Sequence, residues 1–241
     1  MIAGRDTTAQ ALLWQFYCLM VNPRVMKNIV HEIDTVLEGS TDKIIYEVLM
    51  SELPYVKAVL HETLRLHPPV SKNVKQAIDD DILPDGTRIY KGDFIGYSSW
   101  CMARNKTVWG IDAEQYVPER WLVSLHASPL TMNPATGRRM SPFGKFKPES
   151  QFKFNSFNAG PRLCLGMTFA QLEAMSTTCI LLQRYHFKLM PGQPEPVIKG
   201  SLTLPMKKAL MATVTRRIDI PLDASAVDIG GVVVDLTQRE E

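Results

Sequence analysis

Apolar residues recur at helical spacing in three stretches of the first 66 residues. Leu12, Leu13, Phe16, Tyr17, Leu19 and Met20 give residues 2–21 the nearly continuous apolar pattern of a buried helix. Asn22-Pro23 stops it, and Pro23 suits the first turn of the next helix, where its missing N–H costs nothing. Residues 24–38 place Val25, Met26, Ile29, Val30, Ile33, Val36 and Leu37 on one face, with Gly39 as the closing residue. A third helix is predicted from about Pro54 to Leu66, ended by Pro68-Pro69, because a proline pushes the residue before it out of helical backbone.

The period then changes. Pro84-Asp85-Gly86, between Ile82-Leu83 and Arg88-Ile89-Tyr90, reads as a tight turn joining short strands, and residues 93–97 read as a further strand. Residues 122–153 are polar, carry Pro129, Pro134, Pro142 and Pro148, and read as irregular. A fourth helix is predicted over 165–185, with Phe169, Leu172, Met175, Ile180 and Leu181 on its core side. Alternation at 201–205 and 209–217 reads as a closing hairpin. The fold class is α+β, mainly α, with small β-sheets.

Composition narrows the function classes. The chain has 241 residues, 45% hydrophobic and 22% charged, which is ordinary for a globular protein with a substantial core. A net charge of +2 gives no basis for nucleic acid as a partner. No apolar run reaches the roughly 18 residues that a bilayer span needs. Cys18, Cys101, Cys164 and Cys179 form no CxxC pair, which argues against a zinc knuckle or a dithiol redox site. Three of them fit the role of small buried residues. Cys164 is the exception.

Its setting is Phe157-Asn158-Ala159-Gly160-Pro161-Arg162-Leu163-Cys164-Leu165-Gly166, just ahead of a predicted helix. Helix N-termini present unpaired N–H groups and a positive dipole end, which favour a thiolate over a thiol. Glycine at 160 and 166 lets the backbone turn sharply beside the sulfur. The decapeptide resembles the FxxGxRxCxG haem loop of the cytochrome P450 family at all five fixed positions. Two further segments are similar to the family's in the same order. Glu62 and Arg65 stand at ExxR spacing, on one helix face, and Pro118-Glu119-Arg120-Trp121 resembles its PERF/PERW segment. Ala3-Gly4-Arg5-Asp6-Thr7-Thr8 resembles the oxygen-activating helix of the fatty-acid and alkane hydroxylase branch.

The resemblance implies the C-terminal, haem-binding part of the P450 fold over residues 1–217, with the N-terminal part absent and a tail of unknown role over 218–241. It implies haem b (iron protoporphyrin IX) as cofactor, with Cys164 as metal ligand. Phe157, Gly160, Arg162 and Gly166 are then cofactor-binding, with Arg162 on a propionate. Lys75 stands where many relatives have an arginine for the second propionate, and lysine lacks the bidentate fork. Gly4 leaves space beside oxygen, while Thr7 and Asp6 are the catalytic pair that delivers protons. Glu62, Arg65 and Arg120 form a buried structural triad.

The activity implied is insertion of one atom of O2 into a small organic, lipid-like substrate, with electrons from NADPH through a reductase. Full-length relatives are commonly anchored to the endoplasmic reticulum. Lys72 would face a propionate or an acidic substrate, and Pro69–Val74 would line the pocket. Lys145, Lys147, Lys153, Arg138 and Arg139 would either steer an acidic electron donor or serve as a solvated loop. Two rivals stand beside this reading. One is a truncated, non-catalytic haem-binding fragment. The other is a haem-thiolate isomerase or dehydratase, which Asp6-Thr7 argues against.

Overall fold

The computed structural model describes residues 2–123, 132–134, 136–217 and 232–235. Helix α1 (Ile2–Val21) runs into α2 (Pro23–Leu37) across Asn22, with Pro23 at the first helical position. Glu38 and Gly39 close α2 with left-handed backbone, at φ 51° and 75°. A 3₁₀ turn (Thr41–Lys43) and a π turn (Val48–Glu52) lead to α3 (Pro54–Leu66). Helix α3 is buried along nearly its whole length, Lys57 alone being partly exposed, so it is the central strut of the molecule.

The chain then builds small sheets. Strand β1 (Lys72–Gln76) pairs antiparallel with β4 (Phe94–Ser98), in a register that sets Lys75 opposite Ile95. Between them β2 (Asp81–Ile82) and β3 (Arg88–Ile89) form a tight hairpin, turned by Gly86 at φ 87°. Two short helices follow, α4 (Ser99–Ala103) and α5 (Lys106–Trp109), then a 3₁₀ turn at Pro118–Trp121. Strand β5 (Leu122–Val123) pairs with β6 (Lys145–Phe146). Helix α6 (Met167–Arg184) passes into a three-stranded sheet of β7 (Tyr185–Leu189), β8 (Met211–Arg216) and β9 (Val232–Asp235), with β8 central.

The core lies where α1, α2, α3 and α6 meet. Leu19, Ile29, Ile33, Leu60, Met175 and Leu182 are essentially sealed from solvent. Each such side chain contributes about 1.5–3 kcal/mol by leaving water. Among the described residues no helix is long and apolar enough to cross a membrane.

Three expectations need correction. Residues 201–205 are not a strand of a closing hairpin: β8 takes β7 as its partner instead. The stretch is held otherwise, with the Leu204 carbonyl accepting from Trp14 Nε1 at 2.9 Å and its N–H donating to the Pro69 carbonyl at 3.1 Å. The core side of α6 is as expected at Met175, Leu172 and Leu181, which are buried or pack against the core, but not at the other two positions. Phe169 is 71% and Ile180 38% exposed, whereas Gln171, Ala174, Met175, Thr178, Cys179, Leu182 and Gln183 are buried. Polar pairing decides this face, since Gln15 Nε2 reaches across from α1 to the Thr178 hydroxyl at 2.7 Å. Finally, the 122–153 stretch is not wholly irregular, because its ends pair as β5 and β6; Pro129 lies outside the described residues. Gly230-Gly231 also lie outside them, while the following segment supplies β9.

Candidate functional site

Glu62, in the middle of α3, has no exposed surface, and its carboxylate collects a full set of donors. Oε2 accepts from Arg65 Nε at 2.8 Å and Trp121 Nε1 at 2.9 Å. Oε1 accepts from Arg65 Nη2 at 2.8 Å, Arg120 Nε at 2.9 Å and the Val117 N–H at 2.9 Å. Arg65 spends its other N–H groups on the carbonyls of Ala103, Ala113 (2.6 Å) and Gln115 (3.0 Å). Arg120 also pairs with Asp112 at 3.1 Å. The ExxR pair and the arginine of the PERW segment therefore meet in one saturated buried network.

A second carboxylate holds the start of α3, and nothing in the sequence singled it out. Glu32 of α2 is fully buried and accepts from the N–H groups of Tyr55 (3.0 Å) and Val56 (2.8 Å), and from the Ser141 hydroxyl. It caps a helix that has no capping side chain of its own. Burial pushes its carboxyl up to about 7, although these donors pull the other way.

The cysteine loop is anchored on three sides. The Ser156 hydroxyl donates to the Leu64 carbonyl at 2.7 Å, fastening the loop to the last turn of α3. The Tyr97 hydroxyl, on β4, donates to Asn158 Oδ1 at 2.7 Å, which also accepts from the Ala159 N–H at 3.0 Å. The Cys164 N–H donates to the Phe157 carbonyl at 2.8 Å. Asn158 and Gly160 both take left-handed backbone, at φ 66° and 62°. Asparagine tolerates that region better than most residues, so Asn158 was the one legible signal among these anchors. Tyr97 and Ser156 carried none.

Helix α6 begins at Met167, just past the loop. Cys164 is exposed and free, and the N–H groups of Leu165 and Gly166 have no partner among the described residues. By contrast Cys18 and Cys179 are buried, and burial drives both thiols well above the ordinary range. They are core residues. Cys101 is exposed, so the expectation of a small buried residue fails there.

Cys164 opens into a cavity of about 490 Å³. Ala3, Gly4, Thr7 and Thr8 of α1 line it together with Phe157, Arg162, Cys164 and Gly166 of the loop region. Pro69, Val70 and Asn73 add the segment after α3. Lys75 is two residues beyond Asn73, on the same partly buried face of β1, whereas Lys72 is exposed on the other face. Thr7 turns its hydroxyl back to the Ala3 carbonyl at 2.7 Å, and Asp6 pairs with Arg5 at 3.1 Å.

Several features of this cavity are unfinished by protein alone. Leu165 is fully exposed and Phe169 largely so, although both line it. The Thr8 hydroxyl is buried without a partner, and Arg162 has none among the described residues. A Cβ built on Gly4 or Gly166 would meet nothing within 4 Å, so no protein atom requires glycine at either position. These residues fit a broad apolar group with a soft-ligand metal and acidic substituents, as haem b is. Cys164 would hold its iron, and Arg162, with Lys75 nearby, would face its carboxylates.

Of the basic residues upstream, Arg138 pairs with Glu52, Arg139 with Glu38, and Lys147 and Lys153 with Glu149. Lys145 is exposed and makes no ion pair among the described residues.

The sequence profile of the cytochrome P450 family matches residues 1–212. The chain is 37% identical over 227 residues to cytochrome P450 86B1 of Arabidopsis thaliana, covering 90% of this chain and 37% of that protein. It is 37% identical over 230 residues to cytochrome P450 monooxygenase cyp1 of Mycosarcoma maydis, with 90% and 33% covered. To alkane hydroxylase MAH1 of Arabidopsis thaliana it is 34% identical over 218 residues, with 90% and 38% covered. The chain thus spans between a third and two fifths of the length of these relatives. A profile match over most of the chain, converging with a cysteine loop and an acid–threonine helix that share one cavity, makes this chain a member of the cytochrome P450 family.

Proposed function

We propose that this chain carries the haem-thiolate part of a monooxygenase that inserts one atom of O2 into a lipid-like organic substrate. Its electrons come from NADPH through a reductase. The observation that carries the reading is the shared cavity: Cys164 and the Gly4, Thr7 and Thr8 segment line the same space. When bound, haem supplies the redox-active iron at which O2 is reduced.

The protein's own residues supply the rest. The unspent N–H groups at Leu165 and Gly166, just before α6, are left as donors beside Cys164. Phe157 lines the cavity beside the loop. Gly4 keeps the cavity open beside Thr7. The Thr7 hydroxyl can exchange its Ala3 carbonyl for an acceptor in the cavity, and Asp6, partly exposed, links it to solvent protons. The named alkane hydroxylase among the relatives, together with the apolar lining from Leu60, Leu64, Leu165 and Phe169, supports a lipid-like substrate. Of the five upstream basic residues, Lys145 makes no ion pair among the described residues, which supports a place for it in docking an acidic electron donor.

The test is the reduced carbon-monoxide spectrum of the chain loaded with haem. A thiolate-type band is expected, replaced by a conventional one in Cys164→Ser. An imidazole-like band in the unaltered protein, or no haem uptake, overturns the proposal and leaves an inert fragment.

A further inference from the structure

A second cavity, of about 300 Å³, lies behind the cysteine loop and plays no part in the reading above. That volume is at the lower end of small-molecule sites. Its walls are aromatic: Trp121, Phe146, Phe154 and Phe157. Exposed Pro148, Gln151 and Thr168 border it on the solvent side.

Three polar side chains reach it without being used up by the protein. Lys57 is half-buried, its Nζ 4.9 Å from the centroid of Phe146, and it pairs with no carboxylate among the described residues. The one acid on the cavity among the described residues, Glu149, pairs with Lys147 and Lys153. His61 is 7% exposed, and its Nδ1 lies 2.9 Å from the Lys57 carbonyl. A carbonyl only accepts, so Nδ1 carries the proton, and burial, which holds the ring neutral, leaves Nε2 as a bare acceptor. Gln171 is 6% exposed and makes no side-chain hydrogen bond among the described residues. His61 and Gln171 both line the cavity with polar atoms that no protein group engages among the described residues, so these atoms are open to a ligand that enters it.

The chemistry of that partner follows from the set. An unpaired ammonium calls for one negative charge, the bare ring nitrogen for a hydroxyl donor, and the aromatic walls for a flat ring. Lys57 and His61 stand one helical turn apart on α3, so one small molecule can touch both. We propose that this cavity binds a small aromatic monocarboxylate bearing a hydroxyl group, its carboxylate on Lys57 and its hydroxyl on His61 and Gln171. Phe157 and Asn158 line both cavities, so an occupant here abuts the loop that carries Cys164.

The test is calorimetric titration of the full chain with 4-hydroxybenzoate, with and without haem. One site per chain is expected, unaffected by haem. Phenol, which lacks the charge, and the Lys57→Met variant should each bind about tenfold more weakly or worse. Benzoate, which lacks the hydroxyl donor, should fall between. A second variant, Gln171→Leu, checked for folding by its thermal transition, should also weaken 4-hydroxybenzoate but leave benzoate nearly unchanged. No binding by the unaltered chain, equal binding by folded Lys57→Met, or loss of the site on haem loading overturns the proposal. Since the titration does not need haem, its outcome is separate from that of the carbon-monoxide spectrum.

Discussion

The Glu62 network and the Cys164 cavity lie at opposite extremes of polar satisfaction, although α3 and the loop it holds connect them. Around Glu62 both carboxylate oxygens and every Arg65 N–H have partners, and these two side chains are sealed from solvent. Around Cys164 the sulfur, the following N–H groups, the Thr8 hydroxyl and two large apolar side chains are all left over. A saturated network fixes geometry at a cost in desolvation that its contacts roughly offset. An unsaturated one is stable only because solvent or a ligand completes it. The first region is therefore a frame, and the second a surface left open to solvent or a ligand.

That contrast can be broken by experiment. The largest effect is expected for Glu62→Ala, which strands Arg65 and Arg120 inside the protein and should cost about 3–5 kcal/mol in denaturant unfolding. A loss below about 1 kcal/mol would show that the frame is elsewhere.

Next comes Glu32. Its folded-state value, about 7, lies above the ordinary 4.5, so the fold favours the neutral acid. The stability it contributes is complete below pH 4.5 and lost as pH rises through 7, by about 3 kcal/mol. His61 and His67 act in the opposite sense: burial holds them at about 4 and about 3, so their contribution is present above pH 6.5 and lost on acidification. The Glu32 share is isolated by subtracting the unfolding free energy of Glu32→Gln from that of the parent across this range. A difference that does not fall with rising pH would remove the carboxyl from this role.

Glycine separates the two regions on a finer scale. Gly160, at φ 62°, should lose about 1–2 kcal/mol on change to alanine, because a Cβ opposes left-handed backbone. Gly166, at φ −87° with open space around it, should change stability by under about 0.5 kcal/mol but weaken haem uptake. Equal thermal shifts for the two variants would contradict the assignment. The smallest stability effect, within about 0.5 kcal/mol, is expected for Cys164→Ser, an exposed site whose only large change should be spectroscopic.

What the sequence disclosed divides along the same line. Local patterns were readable: α1, α2 and α3 fall within a residue or two of their periodicity, and the cysteine decapeptide announced itself. Contacts distant in sequence were not. Glu32 caps a helix starting 22 residues later, and Tyr97 reaches Asn158 across 61 positions, with no spacing rule to reveal either. The buried face of α6 was partly misjudged because Gln171 and Thr178 are buried while Phe169 borders a cavity; hydrophobicity orders residues by water, not by what faces them. Residues 201–205 alternate like a strand but bond to α1 and to the turn after α3.

The Ser156 hydroxyl on the Leu64 carbonyl has a thermodynamic consequence. That carbonyl belongs to the last turn of α3, where the helix supplies no acceptor's partner of its own. Fraying of the turn releases the loop, and lifting the loop uncaps the turn. The two should therefore open as one cooperative unit, so that amide exchange at Cys164 and at His67 proceeds with a common opening free energy.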